Sequence, residues 1–369
     1  MFHTLWCLAA QRKGMVIKMK KCLSLVLALA MALTLVSCGN NNTSSSGSNA
    51  SSSGNSGSSE KVSLNVSVPD ADNSYIYAAA QEFKARVEEY SGGSIELTIY
   101  PNGSLYGGDG NSGVTMLSSG SLDIMILAAS LYASFEPGFN VISVPYMFDD
   151  AQQLQDYLNS DTGVELFNRV EEMGITCLGR WTRSFRQVTN SVKPITCPAD
   201  LEGLTLRTPN NTLYVDFFKA CGVNVTPMAF GEVYNALQLN TLDGQENPVD
   251  VPATNNFYEV QSYISGTNHM ADAWVVGINS AKLQSLSQEQ QDALTKAAEE
   301  CQQWYVDYQA STDADMLKLL TDNGMQYNDL TEEGKAEFVA ISQSLYDNFR
   351  TIVDDDALFD ATLEFCGKA

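Results

Sequence analysis

The chain has 369 residues, of which 44 are acidic and 21 basic, giving a formal charge of −23. Acidity on this scale excludes nucleic acid, whose binding rests on Lys and Arg neutralising phosphates, and equally excludes an anionic membrane surface. It suits an exported protein kept soluble by charge.

The first segment is a targeting signal. Lys18, Lys20 and Lys21 precede an apolar run from Cys22 to Val36, which ends in Leu35-Val36-Ser37-Cys38. This order of charge, short apolar stretch and small residues is that of a secretory signal. The run is too short for a membrane-spanning helix, which needs about 20 residues. Met19 is a more natural start than Met1. Residues 1–37 are therefore expected to be a signal peptide. From Asn40 to Ser59 only Ser, Gly, Asn, Thr and Ala occur. Such a segment buries no apolar surface and is expected to form a disordered tether, residues 38–60, with a reach of about 25 Å. Removing the leader takes away Arg12, Lys13, Lys18, Lys20 and Lys21 and no acidic residue, so the remaining chain is more acidic still.

Beyond the tether, Leu64, Val66 and Val68 alternate with polar residues and predict a strand. Tyr75, Ala79, Phe83 and Val87 recur at helical spacing, and Ser91-Gly92-Gly93 stops the helix. Ile95, Leu97 and Ile99 predict a second strand, Val114 to Leu117 a helix, and Leu122 to Leu127 a third strand. Strand–helix–strand alternation predicts an α/β domain with a largely parallel sheet, its ligand beyond the strand ends near Pro69–Asn73 and Ala128–Tyr132. The pattern repeats with a helix at Val164–Glu171 and strands at Ile175–Gly179 and Leu204–Arg207. A helix at Leu213–Ala220, a strand at Val223–Val225, a helix at Gly231–Leu239 and a strand at Trp274–Ile278 follow. Ser287 and Gln290 predict a capping box that opens a helix running to about Leu320; a final helix is expected over Glu333–Asn348.

Few residues carry chemistry. With His3 ahead of the expected start, His269 is the only histidine left, which excludes a His-rich zinc site and leaves one candidate for a Ser-His-Asp relay. His269 is expected to be structural, at a lobe junction. Cys177, Cys197, Cys221, Cys301 and Cys366 show no CxxC pairing and read as small buried hydrophobes, with a disulfide open. The run Asp354-Asp355-Asp356 reads as a solvated face. Arg180, Arg183 and Arg186 cluster ahead of Thr189-Asn190, and Arg207 ends the next strand. Arginine grips a carboxylate through two parallel hydrogen bonds, so these residues read either as an anion receptor or as partners of surface Asp and Glu.

Two sets of residues resemble known families. Leu35-Val36-Ser37-Cys38 resembles the lipobox of bacterial lipoproteins, which implies a lipid on the Cys38 sulfur. Phe185–Asn190, Gly203–Pro209, Pro227–Gln238 and Asp243–Pro248 resemble, in order, the signature blocks of the DctP-type binding proteins of tripartite ATP-independent periplasmic (TRAP) transporters. Gly120–Met125, Val144–Phe148 and Ala271–Trp274 fit the same family, and the similarity runs from about Val62 to Phe349.

The resemblance implies a two-lobe periplasmic-binding-protein-like α/β fold, with a ligand cleft between the lobes and a long late helix shared by both. Lobe I is expected over 61–183 and about 272–310, lobe II over 184–271 and about 311–369. It implies that Arg207 forms the principal salt bridge to a ligand carboxylate and that Arg186 is a second ligand-contacting arginine. Asn247 is implied as an amide hydrogen-bonding the ligand, and Phe230 as an aromatic lining the pocket. Asp70, Asp109, Ser130 and Trp181 lie in regions that help define the pocket. Sialic-acid-binding members carry a glutamate and an arginine where this chain has Ala128 and Leu131, which disfavours sialic acid. The expected role is capture of a small organic acid (dicarboxylate, keto acid or sugar acid) outside the cytoplasmic membrane. Delivery is to the small and large membrane subunits of a TRAP transporter, by a monomer without cofactor, metal or catalysis. A sensory binding component and an exported hydrolase are the competing readings.

Overall fold

The computed structural model describes residues 60–369; the signal segment, Cys38 and most of the tether lie outside the described residues. In chain order the strands are β1 (Val62–Ser67), β2 (Ile95–Tyr100), β3 (Ile124–Ala128), β4 (Ile175–Arg183), β5 (Gln187–Asn190) and β6 (Thr205–Thr208). They continue with β7 (Asn224–Pro227), β8 (Gly244–Asn247), β9 (Tyr263–Gly266), β10 (Asp272–Asn279) and β11 (Gln326–Asp329). Helices that position the site are α1 (Tyr75–Tyr90), α2 (Gly110–Ser118), α3 (Thr212–Ala220), α4 (Asp250–Thr254) and α5 (Gln288–Asp322).

The strands form two sheets, one per lobe. The first has the order β2-β1-β3-β10-β4 and the second β11-β9-β5-β8-β6-β7. Both are mixed: β2, β1 and β3 run parallel, as do β8, β6 and β7. The period-two pattern identifies strands but not their direction, and β10 returns from the second lobe antiparallel to both β3 and β4. In the second sheet β5 likewise runs antiparallel to β8 and β9. The chain thus crosses between lobes twice close together, through residues 184–186 and 267–271. Backbone bonds tie these crossings, with the Arg186 amide donating to the Met270 carbonyl at 3.0 Å.

A third connection is α5, 35 residues long. Ser287 accepts from the Gln290 amide while the Gln290 side chain accepts from the Ser287 amide, the reciprocal cap that opens the helix. Its first half buries Leu294, Ala297, Ala298, Cys301 and Tyr305 against the first sheet's core. Its far end buries Leu320 with Ile264 and Met325 in the second lobe. At about 1.5 Å per residue the helix spans both lobes.

The end of the chain departs from a single final helix. Helices cover Glu332–Ser344, Tyr346–Val353 and Asp356–Phe365. Asp354 takes a left-handed backbone (φ 55°), which ends the second of them, and the Asp355 carboxylate caps Leu358 and pairs with Arg169 at 2.9 Å. The aspartate run is therefore partly a turn and a cap rather than only a solvated face. These helices pack Phe349, Val353 and Phe359 into one core with Phe139 and Phe167. Among the described residues Cys177, Cys197, Cys221, Cys301 and Cys366 are free thiols.

Candidate functional site

Between the sheets lies a cavity of about 360 Å³, lined from both lobes. The first lobe supplies the loop after β1 (Pro69, Asp70), the segment entering α2 (Tyr106, Asp109) and the end of β3 with the short helix that follows (Ala128, Ser130, Leu131). The segment at Ala128–Tyr132 is thus not an open loop, since residues 129–132 make one helical turn. The second lobe supplies Arg186, Arg207, Met228, Phe230 and Asn247. Strand ends bring these side chains together, as an open α/β sheet places its ligand beyond them.

Three guanidinia meet here, and each is held differently. Arg186 is fully buried and forks onto Glu246, with Nη2 donating to Glu246 Oε1 at 2.8 Å and Nε to Oε2. Nη2 also donates to the Asn247 Oδ1 at 3.0 Å. Arg183 lies over the Trp274 ring at 4.4 Å, pairs with Asp272 at 3.4 Å and donates to Asn247 Oδ1 at 3.3 Å. Arg207 is 4% exposed and donates through Nε and Nη2 to the Met228 carbonyl, at 3.0 and 2.8 Å. Among the described residues it has no carboxylate partner within ion-pair distance. Burial, together with the charges of Arg186 and Arg183, pushes its pKa down against the pull of the Glu246 carboxylate. A desolvated cation of this kind is costly until an anion joins it.

The surrounding groups fix that arrangement. Burial alone would raise the Glu246 carboxyl, but the Arg186 charge and the His269 hydrogen bond outweigh it and hold it down at about 2. His269 is 1% exposed, with Nε2 at 3.2 Å from Glu246 and Nδ1 at 2.8 Å from the Thr267 hydroxyl. Asn247 accepts from two arginines, so its amide nitrogen is the end left for donation; it donates to Gln245 at 2.6 Å and has a second hydrogen. Phe230 sits beside Arg207, whose guanidinium carbon is 5.9 Å from the ring centre. Asp70 is buried, and burial raises its pKa against the pull of Arg183 and Arg186.

A model for bacterial extracellular solute-binding proteins of family 7, DctP, matches residues 66–351. The chain belongs to that family. It is a DctP-type solute-binding protein of a TRAP transporter and not an enzyme, which removes the exported-hydrolase reading. It is 34% identical over 224 residues to the 2,3-diketo-L-gulonate-binding periplasmic protein YiaO of Escherichia coli K12, covering 61% of this chain and 68% of that protein. It is 27% identical over 283 residues to the C4-dicarboxylate-binding protein DctB of Bacillus subtilis, covering 76% of this chain and 80% of that one. The galactonate complex of the sugar acid binding protein DctPAm from Advenella mimigardefordensis superposes with a TM-score of 0.80 at 27% identity. That match covers 84% of this chain and 99% of the other, and shows the two-lobe fold.

In this DctP-type protein Arg207, Arg186, Asn247, Phe230, Asp70, Asp109 and Ser130 all line the cavity. Two of them are already engaged: Asp109 accepts from the Ser112 amide at 2.7 Å and caps α2, and the Ser130 hydroxyl donates to Asp272 at 2.8 Å. Trp181, expected near the pocket, does not line it. It is fully buried, donates from Nε1 to the Ala298 carbonyl at 2.8 Å and packs against Phe83 and Tyr305, away from the cavity. Its cross-strand partner Trp274 lines the cavity instead, because its other neighbour in the sheet is Ala128, too small to cover it. Arg180 also lies outside the group, donating to the Leu158 carbonyl at 3.0 Å. Arg183 and Arg180 differ by an odd number of residues on β4, so they point to opposite faces. Glu246, Tyr106 and Trp274 carried no expected role. Glu246 sits within the Asp243–Pro248 block, so position hinted at it, but only the fold pairs it with Arg186.

Proposed function

We propose that this DctP-type protein is a lipid-anchored solute-binding protein that captures a small organic acid through an Arg207–carboxylate salt bridge. It then hands the acid to the small and large membrane subunits of its TRAP transporter. The observation that carries this reading is Arg207 itself: a buried guanidinium at the cavity wall with, among the described residues, no carboxylate within ion-pair distance. A ligand carboxylate supplies that balance through charge-assisted hydrogen bonds. The Asn247 amide adds a donor, Phe230 excludes water and strengthens both interactions, and Arg186 is held beside them by Glu246. The named ligands of the relatives, 2,3-diketo-L-gulonate, C4-dicarboxylate and galactonate, all carry a carboxylate. The leader and the Leu35–Cys38 sequence support lipidation at Cys38 and a place on the outer face of the cytoplasmic membrane.

A thermal-shift panel of C4-dicarboxylates, keto acids, aldonates and uronates tests the capture role. A cognate acid at one hundred times its Kd adds about 2.7 kcal/mol of stability. No shift with any of these acids contradicts the reading. For the anchor, labelled palmitate incorporates into the wild-type chain and not into Cys38→Ser; equal labelling of both removes Cys38 as the attachment point.

A further inference from the structure

We infer that Asp70 determines which acids this cleft accepts: it takes hydrogen bonds from ligand hydroxyl groups and turns away a second carboxylate, selecting polyhydroxylated monocarboxylates over dicarboxylates. The inference rests on the reading that Arg207 binds a carboxylate, and adds to it the class of the remaining part of the ligand.

Of the ionic side chains that line the cavity, Arg186 pairs with Glu246 and Arg183 with Asp272, while Asp109 keeps its charge but is only half-buried and engaged as a helix cap. Two are left over, Arg207 and Asp70. Asp70 is 4% exposed and forms no ion pair among the described residues, and its Oδ2 has no hydrogen-bond partner there. Its backbone is fixed rather than mobile, because its carbonyl accepts from the Asn102 amide at 2.8 Å, and the neighbouring Val68 carbonyl from Gly103 at 2.9 Å. The Tyr106 hydroxyl, also buried and unpartnered, lines the same wall.

A cavity with one buried cation and one buried carboxylate that lack ion-pair partners among the described residues suits a ligand with a single negative charge and hydrogen-bond donors elsewhere. Hydroxyl groups donate to Asp70 and satisfy the buried acceptor. A dicarboxylate would bring a second anion into a small desolvated space whose remaining unpaired group is itself acidic, and an unpaired buried charge is costly. The effect is discrimination by repulsion as much as by attraction.

Calorimetric titration of D-galactonate, D-glucuronate and succinate into the wild-type protein, Asp70→Asn and Asp70→Glu tests this. The wild type is expected to favour at least one sugar acid over succinate by tenfold or more. Asp70→Asn should weaken sugar-acid binding about tenfold and shrink that ratio, whereas Asp70→Glu, which moves the carboxylate but keeps its charge, still rejects succinate. An unchanged ratio in Asp70→Asn, or a wild type that prefers succinate, overturns the inference while leaving the Arg207 reading intact. If none of the three acids binds the wild type although another carboxylate does, the inference again falls alone. If no carboxylate binds, both fall. Should Asp70→Asn not fold, the Asp70→Glu ratio decides: a gain of succinate binding there contradicts the inference.

Discussion

Glu246 carries a charge that no solvent reaches, and two neighbours share it: Arg186 and His269. Replacing it by Gln leaves the Arg186 guanidinium buried without a counter-charge, which costs about 3–5 kcal/mol in comparable pairs. The sign of the pH effect follows from its lowered pKa. An acid held at about 2, against an ordinary value of 4.5, stabilises the fold fully above 4.5 and loses that contribution as pH falls toward 2. Denaturant titrations should therefore show Glu246→Gln well below wild type at pH 7, the gap closing between about pH 4.5 and 2. A gap independent of pH across that window would mean that the carboxylate's charge is not what matters.

The same residue shows what a sequence leaves unsaid. Arg186 and Glu246 lie 60 positions apart, on strands whose pairing no local pattern specifies. Arg207 was legible because a strand pattern ends on it within a recognisable block, and the fold places it at the cavity wall. Trp181 and Trp274 look equivalent as residues. Only the strand order, with β10 between β3 and β4, decides which of them meets the cavity.

At the scale of elements, β8 is where the site is assembled, since Gln245, Glu246 and Asn247 all act from it. Its first residue, Gly244, sits against β5 so closely that an added Cβ would lie 2.1 Å from the Thr189 carbonyl oxygen and 2.9 Å from a Leu206 methyl. The obstruction is backbone and cannot rotate away. Gly244→Ala should therefore displace β8 and cost at least about 2 kcal/mol, in the range of overpacked interiors. Because Asn247 and Glu246 move with the strand, ligand affinity should fall too; thermal melts and titrations that match the wild type would contradict this view of β8. The long helix, by contrast, was readable, since the Ser287 and Gln290 cap and the run without Gly or Pro that follows it are local features. Strand direction was not, because both sheet types share the same alternation.

As a whole the molecule is an acidic body with a basic spot enclosed in it. Acidic side chains outnumber basic ones by 44 to 21 over the chain, whereas Arg183, Arg186 and Arg207 meet in a small cavity between lobes. Anions are therefore not gathered by the surface at large; attraction is confined to a site of fixed geometry. Two crossings beside each other, the long helix and the C-terminal helices packed on Phe139 and Phe167 join the lobes, so closure over a ligand would be a hinge motion about these connections. A ligand favours the closed state only by touching both lobes, and Arg207 on one side with Asp70 on the other gives it that opportunity. Capture of the acid depends most on Arg207, and one calorimetric comparison tests it: titration of the best acid from the panel into wild type and Arg207→Ala, with both shown to be folded by circular dichroism. Affinity should fall at least about 30-fold, since removing one partner of a buried, hydrogen-bonded charge pair costs 2–5 kcal/mol; affinity within about twofold of wild type in a folded variant would contradict it.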